Sequence, residues 1–435
     1  MSRFLAGTGL LLSIISAPSF AWHGPMIVDA GFGSFVPQLD ASHAEMAPVG
    51  FVHLPLTGGY LMFTEQPIGS ANKLVVTKFT DTGVIDANWP SAGKGGTAAL
   101  PLPSPDVDYT KNEAQARVVL NIDSGVEEIY IFERYYACST DGCIQYLFAS
   151  VMNVSGGVIA NAAMPMDSFP KYPWTFTAAA GGVSLGGGVI GSVMAGKATG
   201  TNVTELVAAH HNPPAVSPPL VLYHFAEISG TAMRVNGLTT PGTGDVTTFG
   251  TEANLAVYGS VLFPLECPSS APIRSVIDSA VDAQSGSDVI VEGRVDCGSD
   301  GLFSEIARVS NIGSAGTVSV ISASLMEPLT ACDGDFSADD CPFAYLIAPR
   351  AGLYASATTP SGAFAHINSD APDVFFTGAD VPPSALPIVA TSHYGAYYQF
   401  PYLTGMTFGL TPLGNVGFGI GRFIVDRIAA DNFGN

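Results

Sequence analysis

Residues 74–86 are Leu-Val-Val-Thr-Lys-Phe-Thr-Asp-Thr-Gly-Val-Ile-Asp. An apolar run is followed by polar residues around Phe79, then by Gly83 and by a second apolar pair at 84–85. Alternation with a period of two residues is typical of a β-strand. The same pattern, marked by the position of Lys78, returns near residues 151, 224, 308 and 427. The sequence therefore predicts a structural repeat of about 70–85 residues.

A second strand-like run precedes each of the first four copies, at residues 60–64, 129–135, 205–209 and 289–294. Each repeat should thus contain a β-hairpin, with room for further strands. No long capped helix is evident in the sequence, and residues 272–283 fit either a short helix or a strand and a loop. We predict an all-β fold, a β-propeller of about six blades (five to seven) with a degenerate copy around 353–364.

Residues 78–96 resemble a known repeat. Lys78-Phe-Thr-Asp-Thr-Gly83-Val-Ile-Asp86-Ala-Asn-Trp89-Pro-Ser-Ala-Gly93-Lys-Gly-Gly96 is similar to the delta-60 repeat of bacterial exported β-propellers, Arg-Leu-Asn-x-Asp-Gly-Ser-Leu-Asp-x-x-Phe-Gly-x-x-Gly. Thr82 replaces the Asp and Trp89-Pro90 replaces Phe-Gly, while the middle copies lack the second half of the pattern. The resemblance implies an exported propeller, and the family carries no catalytic signature that could be transferred.

The two ends of the chain look like two halves of one repeat. Residues 426–435 carry the first half of the pattern, and residues 23–33 carry a second half that includes Asp29, Phe32 and Gly33. A ring closed by pairing of the N- and C-terminal segments removes open sheet edges. An open solenoid would show capping repeats instead. We therefore predict closure through the terminal segments.

The first 21 residues have the pattern of a secretory signal peptide. Arg3 precedes an apolar stretch at 4–15, and Ser19-Phe-Ala21 places small residues before a cleavage site at Trp22. A retained anchor is disfavoured because the stretch is shorter than the ~20 residues that cross a bilayer. We expect residues 1–21 to be the signal peptide and residues 22–435 to form a single β-propeller domain, secreted or periplasmic, without a membrane span.

Composition limits the partners. The chain is 47% hydrophobic and 12% charged, which argues against wholesale disorder, and its formal net charge is −21. A strongly negative chain is a poor match to nucleic acids and to anionic lipid. We expect no nucleic-acid partner and a monomer.

The six cysteines favour disulfide bonds in an oxidising compartment. Spacing favours Cys138 with Cys143, across a hairpin with Asp141-Gly142 as its turn, and Cys332 with Cys341, which leaves Cys267 with Cys297. A zinc site is the alternative, but C-x2-C and H-x3-H spacings are absent from the sequence.

The acidic loop inside the Cys332–Cys341 bracket is the best metal candidate. It contains Asp333, Asp335, Asp339 and Asp340. Calcium is the cation that oxygen ligands on such a loop would take. The EF-hand spacing is missing, so a solvated acidic loop is the preferred interpretation, and no cofactor is expected.

Two further motifs suggest catalysis at first sight. Gly182-Val-Ser184-Leu-Gly186 matches the nucleophile elbow of α/β-hydrolases, with His366 and His393 downstream. More glycines follow at 187, 188 and 191, where the elbow requires a helix, so a glycine-rich turn between strands is preferred. His210-His211 ends a strand-like run, and neighbouring residues of a strand point to opposite faces, which disfavours a shared metal. Turn residues are therefore the preferred interpretation.

The aromatic stretch at 393–402 supplies candidate recognition residues, Tyr394, Tyr397, Tyr398 and Tyr402. Tyrosines on an exposed loop suit protein or glycan binding, and packing of the rings between blades is an equal alternative. We assign no catalytic residue from the sequence. It predicts a non-enzymatic, exported interaction protein with a protein or glycan partner; the alternative is a propeller hydrolase or lactonase with its site at the central channel.

Overall fold

A computed structural model of the chain describes residues 27–29, 31–39, 47–69, 71–91, 93, 95–101, 115–139, 142–165, 174–198, 203–229, 234–239, 247–252, 255–258, 261–262, 273–281, 289–296, 302–312, 315–325, 353–358, 364–368, 388–389, 396–399, 402–410 and 416–424. Within these residues the fold is all-β, with 28 strands and no helix. The strands form seven antiparallel sheets, numbered here 1 to 7 along the chain. The sequence-based prediction of an all-β fold is confirmed.

Five of the sheets have four strands that follow one another in chain order. Sheet 1 contains β3 (Ala47–His53), β4 (Tyr60–Ile68), β5 (Ala71–Phe79) and β6 (Thr97–Ala99). Sheet 2 contains β7 (Gln115–Asp123), β8 (Val126–Ser139), β9 (Gly142–Asn153) and β10 (Val158–Pro165). Sheet 3 contains β11 (Trp174–Gly186), β12 (Val189–Ala198), β13 (Val203–His211) and β14 (Leu220–Ser229). Sheet 4 contains β15 (Arg234–Thr239), β16 (Thr247–Glu252), β17 (Leu255–Tyr258) and β18 (Val261–Leu262). Sheet 5 contains β19 (Ile273–Val281), β20 (Val289–Asp296), β21 (Leu302–Ile312) and β22 (Ala315–Leu325).

The remaining strands form a two-stranded and a six-stranded sheet. Sheet 6 contains β23 (Leu353–Thr358) and β24 (Phe364–Asn368). Sheet 7 contains β25 (Ile388–Val389), β26 (Ala396–Gln399), β27 (Tyr402–Leu410), β28 (Val416–Ile424) and the two N-terminal strands β1 (Ile27–Val28) and β2 (Ser34–Phe35).

The first strands of successive sheets lie side by side. β3 contacts β7, β7 contacts β11, β11 contacts β15, and β15 contacts β19, while β26 of sheet 7 contacts β3. Sheets 1 to 5 therefore extend outward from inner first strands. Four-stranded antiparallel sheets arranged in this way make a β-propeller.

Sheet 7 combines strands from both ends of the chain. Ile27 and Val28 of β1 pair with Ile424 and Phe423 of β28, and β2 pairs with the same strand at Ile420 and Gly419. The N-terminal strands thus occupy the outer edge of a sheet whose inner strands come from the C-terminal part of the chain.

Alternating residues of β8 explain how neighbouring sheets are held together. Ile129 and Ile131 are buried in a cluster with Leu61 and Phe63 of sheet 1. Tyr130 and Phe132, which point to the opposite face, are buried with Met194 and Val207 of sheet 3, among others. Burial of each such side chain contributes about 1.5–3 kcal/mol. The nearly continuous apolar run of β8 is thus a strand buried on both faces.

The structure corrects part of the predicted repeat. The markers at 78, 151 and 308 fall in third strands, β5, β9 and β21, but His224 lies in β14, the fourth strand of sheet 3. The repeat copy marked at residue 224 is therefore displaced by one strand, because the third strand of sheet 3 is β13. Sheet 4 was missed because β17 and β18 are too short to carry the pattern. Residues 273–281, left open between a helix and a strand, are β19.

Candidate functional site

One side of the propeller carries the described connections between first and second strands and between third and fourth strands. We term it the loop face. It includes residues 54–59, 80–91, 93, 95–96, 124–125, 154–157, 187–188 and 212–219. Strand ends from different sheets meet here, as when the Gly182 N–H of β11 donates to Asn121 Oδ1 of β7 at 2.9 Å. The side chains that bridge sheets 1, 2 and 3 on this face make up the candidate site.

Glu127 joins sheet 2 to sheet 1. It is the second residue of β8 and is 4% exposed. Its carboxylate accepts hydrogen bonds from the Leu56 N–H at 2.6 Å, the Thr57 N–H at 3.0 Å and the Thr57 hydroxyl at 2.5 Å. Hydrogen bonds to an ionised acceptor are roughly twice as strong as neutral ones. This carboxylate fixes the β3–β4 connection against the next sheet.

Glu128, Tyr130 and His211 join sheet 2 to sheet 3. The Nδ1 atom of His211 lies 2.7 Å from Glu128 Oε1, and the His211 backbone N–H donates to the Tyr130 hydroxyl at 2.8 Å. Burial, and then the negative charge of Glu128, raises the pKa of Tyr130 far above its ordinary value. The phenol therefore stays protonated at neutral pH and serves as a structural hydrogen-bonding group.

The segment that resembles the delta-60 repeat begins in sheet 1 and packs against sheet 2. We term its residues 78–91 the strap. Trp89 is buried, and its Nε1 donates to the Val154 carbonyl of the β9–β10 connection at 2.8 Å. Lys78 forms an ion pair with Asp86 at 3.4 Å, which fixes the start of the strap. The basic, acidic and aromatic positions of the repeat pattern thus have structural roles here.

His53 lies where β3 ends and the β3–β4 connection begins. Its ring centroid is 5.2 Å from that of Tyr60. Burial lowers the pKa of His53, and the charges of Asp81 and Glu127 only partly oppose this effect. At neutral pH the imidazole is therefore uncharged.

Sheet 7 is linked to the same face through Arg422. Its guanidinium carbon lies 4.2 Å from the ring centroid of Phe32 and 4.1 Å from that of Tyr402. Arg422 also binds the Asp29 carboxylate. Gly83 of the β5–β6 connection packs against Phe32, since a Cβ at Gly83 would lie 2.9 Å from Phe32 Cε1.

Several residues singled out from the sequence have defined places in the fold. Cys138 and Cys143 are register partners at the β8–β9 hairpin, and Gly142, which the sequence placed in the turn, belongs to β9 itself. Ser184 of the Gly182–Gly186 motif pairs with Ile190 inside the β11–β12 hairpin; a strand follows it, and the elbow geometry is absent. His366 lies in β24, opposite Ala355.

The candidate recognition tyrosines are distributed around the first strands of sheet 7. Tyr397 and Tyr398 lie in β26, paired with Thr404 and Leu403 of β27. Tyr402 packs its ring on Arg422, a packing role that sequence analysis had left open. Tyr394 lies outside the described residues.

The remaining sequence-based candidates also lie outside the described residues. They are the signal peptide at 1–21, His393, the cysteines Cys267, Cys297, Cys332 and Cys341, and the acidic loop of Asp333, Asp335, Asp339 and Asp340. Among the described residues, no three His, Cys, Asp or Glu side chains are grouped so that they could hold a metal ion. The described part of the chain also has no helix long and apolar enough to cross a membrane.

Sequence analysis missed Glu127 and Glu128 and treated His211 as a turn residue. Glu127 lies about 70 residues from Thr57 in the chain, and His211 lies 83 residues from Glu128. A local pattern carries no information about such a pairing. The one available signal was the pair of acidic residues near the start of β8, directly before the apolar run at 129–132.

Comparison with known proteins yields a structural likeness. No protein-family model matches the chain, and no curated protein matches it. Among solved structures, the chain is similar to one described as the structure of the Dos1 propeller, with 9% sequence identity and a TM-score of 0.46. That match covers 92% of this chain and 96% of the other.

Proposed function

We propose that the protein is an exported, non-enzymatic β-propeller that binds a protein or glycan partner. The observation that carries this proposal is the way the loop face is built. Glu127 holds the β3–β4 connection, and Glu128 with Tyr130 holds the end of β13. Connections fixed in advance lose little conformational entropy on association, which favours binding.

The same contacts argue against a catalytic role for these groups. The Glu127 carboxylate is buried and accepts three hydrogen bonds from one connection. Tyr130 is held protonated by burial and by Glu128, which raise its pKa. A general acid or base needs a pKa near the working pH and access to a substrate, and neither residue meets both requirements.

We further propose that the seven sheets are blades of one closed ring. The pairing of β1 with β28 supports closure, because it places strands from the two ends of the chain in one sheet. The pattern of residues 1–21 supports export to the periplasm or beyond, and the facing positions of Cys138 and Cys143 fit an oxidising compartment.

Purified protein comprising residues 22–435 tests the proposal. We expect saturable binding on a glycan array or to a protein captured from the native envelope and then identified. We also expect no turnover of ester and lactone panels, with or without calcium. Turnover that is lost in His211→Gln but retained in the matched surface variant Val216→Ser would contradict the proposal and favour the hydrolase or lactonase alternative.

A further inference from the structure

The interface between sheets 2 and 3 changes from apolar to polar as it approaches the loop face. In its interior, Tyr130 of β8 belongs to one buried cluster with Met194 of β12 and Ala209 of β13. Nearer the loop face, Glu128 of sheet 2 binds His211 of sheet 3. Alternate residues of a strand share a face, so Glu128 lies on the same face of β8 as Tyr130. The loop-face end of this interface therefore has polar groups to satisfy.

Asn121 of β7 contributes a buried amide to this end of the interface. It is the register partner of Glu128, and register partners of an antiparallel pair project from the same face of the sheet. Its Oδ1 accepts the Gly182 N–H of β11 at 2.9 Å, which fixes the orientation of the amide and leaves Nδ2 as the free donor. Asn121 is 1% exposed, and its Nδ2 is buried without a hydrogen-bond partner among the described residues.

Ser192 of β12 contributes a second buried polar group from the opposite sheet. It is the register partner of Ala209, and it lies two residues before Met194 in the same strand. Because both of these neighbours belong to the cluster that contains Tyr130 of sheet 2, Ser192 also faces sheet 2. Ser192 is fully buried, and within the described part of the chain its hydroxyl has no hydrogen-bond partner either.

A bulge in β11 brings these two groups to the same place. The register of β11 with β12 shifts at residues 181–182, which form a bulge opposite Ser192. Strand β7 passes directly beside this bulge, because a Cβ at Gly181 would clash with a backbone oxygen of β7. Strand β7 also contacts β12, and Asn121 of β7 binds the second amide of the bulge. The Asn121 amide and the Ser192 hydroxyl therefore border one bulge from two sheets.

We propose that this place binds one buried water molecule, held jointly by Asn121 Nδ2 and Ser192 Oγ. Buried polar groups are almost always bonded to protein or to ordered water, and a water needs at least two polar partners. The water accepts from the Asn121 amide, and the Ser192 hydroxyl can either donate to it or accept from it. A cation is a poor occupant because Nδ2 only donates. The bound water links β7 to β12 beneath the loop face, and this inference does not rest on the proposed binding function.

Urea denaturation of variants of the protein comprising residues 22–435 tests the link between the two groups. Ser192→Ala should lower the unfolding midpoint, because the water loses a partner, whereas removal of an unsatisfied hydroxyl would not lower it. The midpoint of Asn121→Ala/Ser192→Ala should lie close to that of the less stable single variant, since one water is lost only once. The control cycle combines Asn121→Ala with Ser150→Ala. Ser150 is buried and pairs with Ile131, on the face of sheet 2 that packs against sheet 1, so these two effects should add.

A high-resolution crystal structure of the same protein tests the occupant directly. It should show an ordered water within about 2.7–3.2 Å of both Asn121 Nδ2 and Ser192 Oγ. A protein atom bonded to either group in place of the water overturns the proposal, and so does density without a water between them. Additive effects of Asn121→Ala and Ser192→Ala, or a midpoint that Ser192→Ala does not lower, also overturn it.

Discussion

Asp29 and Arg422, which are 393 residues apart in the chain, are bonded through both side chain and backbone. Arg422 Nε donates to Asp29 Oδ2 at 2.9 Å, and Nη2 donates to the same oxygen. The Asp29 backbone N–H donates to the Arg422 carbonyl at 2.9 Å. The pair continues the β1–β28 pairing by one residue and anchors the N-terminal segment to the C-terminal sheet.

Replacement of Arg422 by lysine should destabilise the protein although it keeps the charge. Lysine lacks the planar guanidinium that lies against both Phe32 and Tyr402 and that binds Asp29 through two nitrogens. We expect a loss of about 1–3 kcal/mol in the free energy of unfolding, measured by urea denaturation. Lys78→Met is the control, since its ion pair with Asp86 lies within sheet 1. If both variants lost the same free energy of unfolding, Arg422 would contribute no more to stability than Lys78 does.

Deletion of residues 421–435 should prevent stable folding. The deletion removes the β28 residues that pair with β1, and it also removes the partners of Tyr402–Gly405 in β27. Two strands would then expose unpaired edges, which promote aggregation. We expect insoluble or degraded protein, whereas deletion of residues 429–435 alone, which leaves β28 whole, should be tolerated. A soluble 421–435 deletion with an unchanged melting midpoint would rule out closure through these strands.

Much of the strand pattern was predictable because it is local. The strand-like run at 129–135 lies in β8, and the cysteine pair after it belongs to the β8–β9 hairpin. The basic and aromatic positions of the strap were also recognised, at Lys78 and Trp89. In each case neighbouring residues determine the structure, so a short window of sequence contains the information.

The contacts between sheets were not predictable from one sequence. Trp89 was recognised as a repeat position, yet its acceptor, the Val154 carbonyl, is a backbone atom that any residue would supply. Glu127 accepts hydrogen bonds from the backbone N–H groups of Leu56 and Thr57, which almost any residue at these positions would also supply. These bonds depend on the relative placement of two sheets, which only the fold provides.

Gly156 should tolerate alanine less well than Gly125, although both have positive φ angles, +90° and +79°. A Cβ at Gly156 would lie 2.7 Å from Trp89 Cζ2 and 2.7 Å from Pro90 Cβ, whereas nothing lies within 4 Å at Gly125. Gly125→Ala should cost only the backbone strain of about 1–2 kcal/mol. Gly156→Ala should cost about 1–3 kcal/mol more through overpacking against the strap. Urea denaturation of the two variants measures the difference, and equal costs would mean that Trp89 moves aside freely.

The lowered pKa of His53 should make stability depend on pH on the acid side. Because burial disfavours the charged imidazole in the folded state, the unfolded chain binds the proton first, at its ordinary pKa of about 6.5. Stability from this group is therefore complete above pH ~6.5 and is lost as pH falls from there through the folded pKa. His53→Gln should flatten the decline in unfolding free energy below pH ~6.5 and leave its slope above that pH unchanged. An unaltered acid-side slope would show that His53 does not contribute.

Cys138 and Cys143 should form a disulfide bond in the exported protein. Ser139 and Gly142 are the innermost register partners of the β8–β9 pair, with two residues between them in the sequence. Such an innermost pair exchanges backbone hydrogen bonds, so the next pair outward, Cys138 with Cys143, is a non-hydrogen-bonded pair. In such pairs the Cα atoms are about 4.5 Å apart, within the range of roughly 4.4–6.8 Å that disulfides span.

The bond encloses a short loop, so its contribution to stability should be modest, about 2 kcal/mol in the chain-entropy treatment. Without reductant, peptide mapping should find Cys138 and Cys143 linked and unreactive toward iodoacetamide. Cys138→Ser should leave Cys143 open to alkylation and lower the unfolding free energy by about that amount. Alkylation of both thiols in the unreduced wild-type protein would show that the pair remains reduced, and it would remove the cysteine argument for an oxidising compartment.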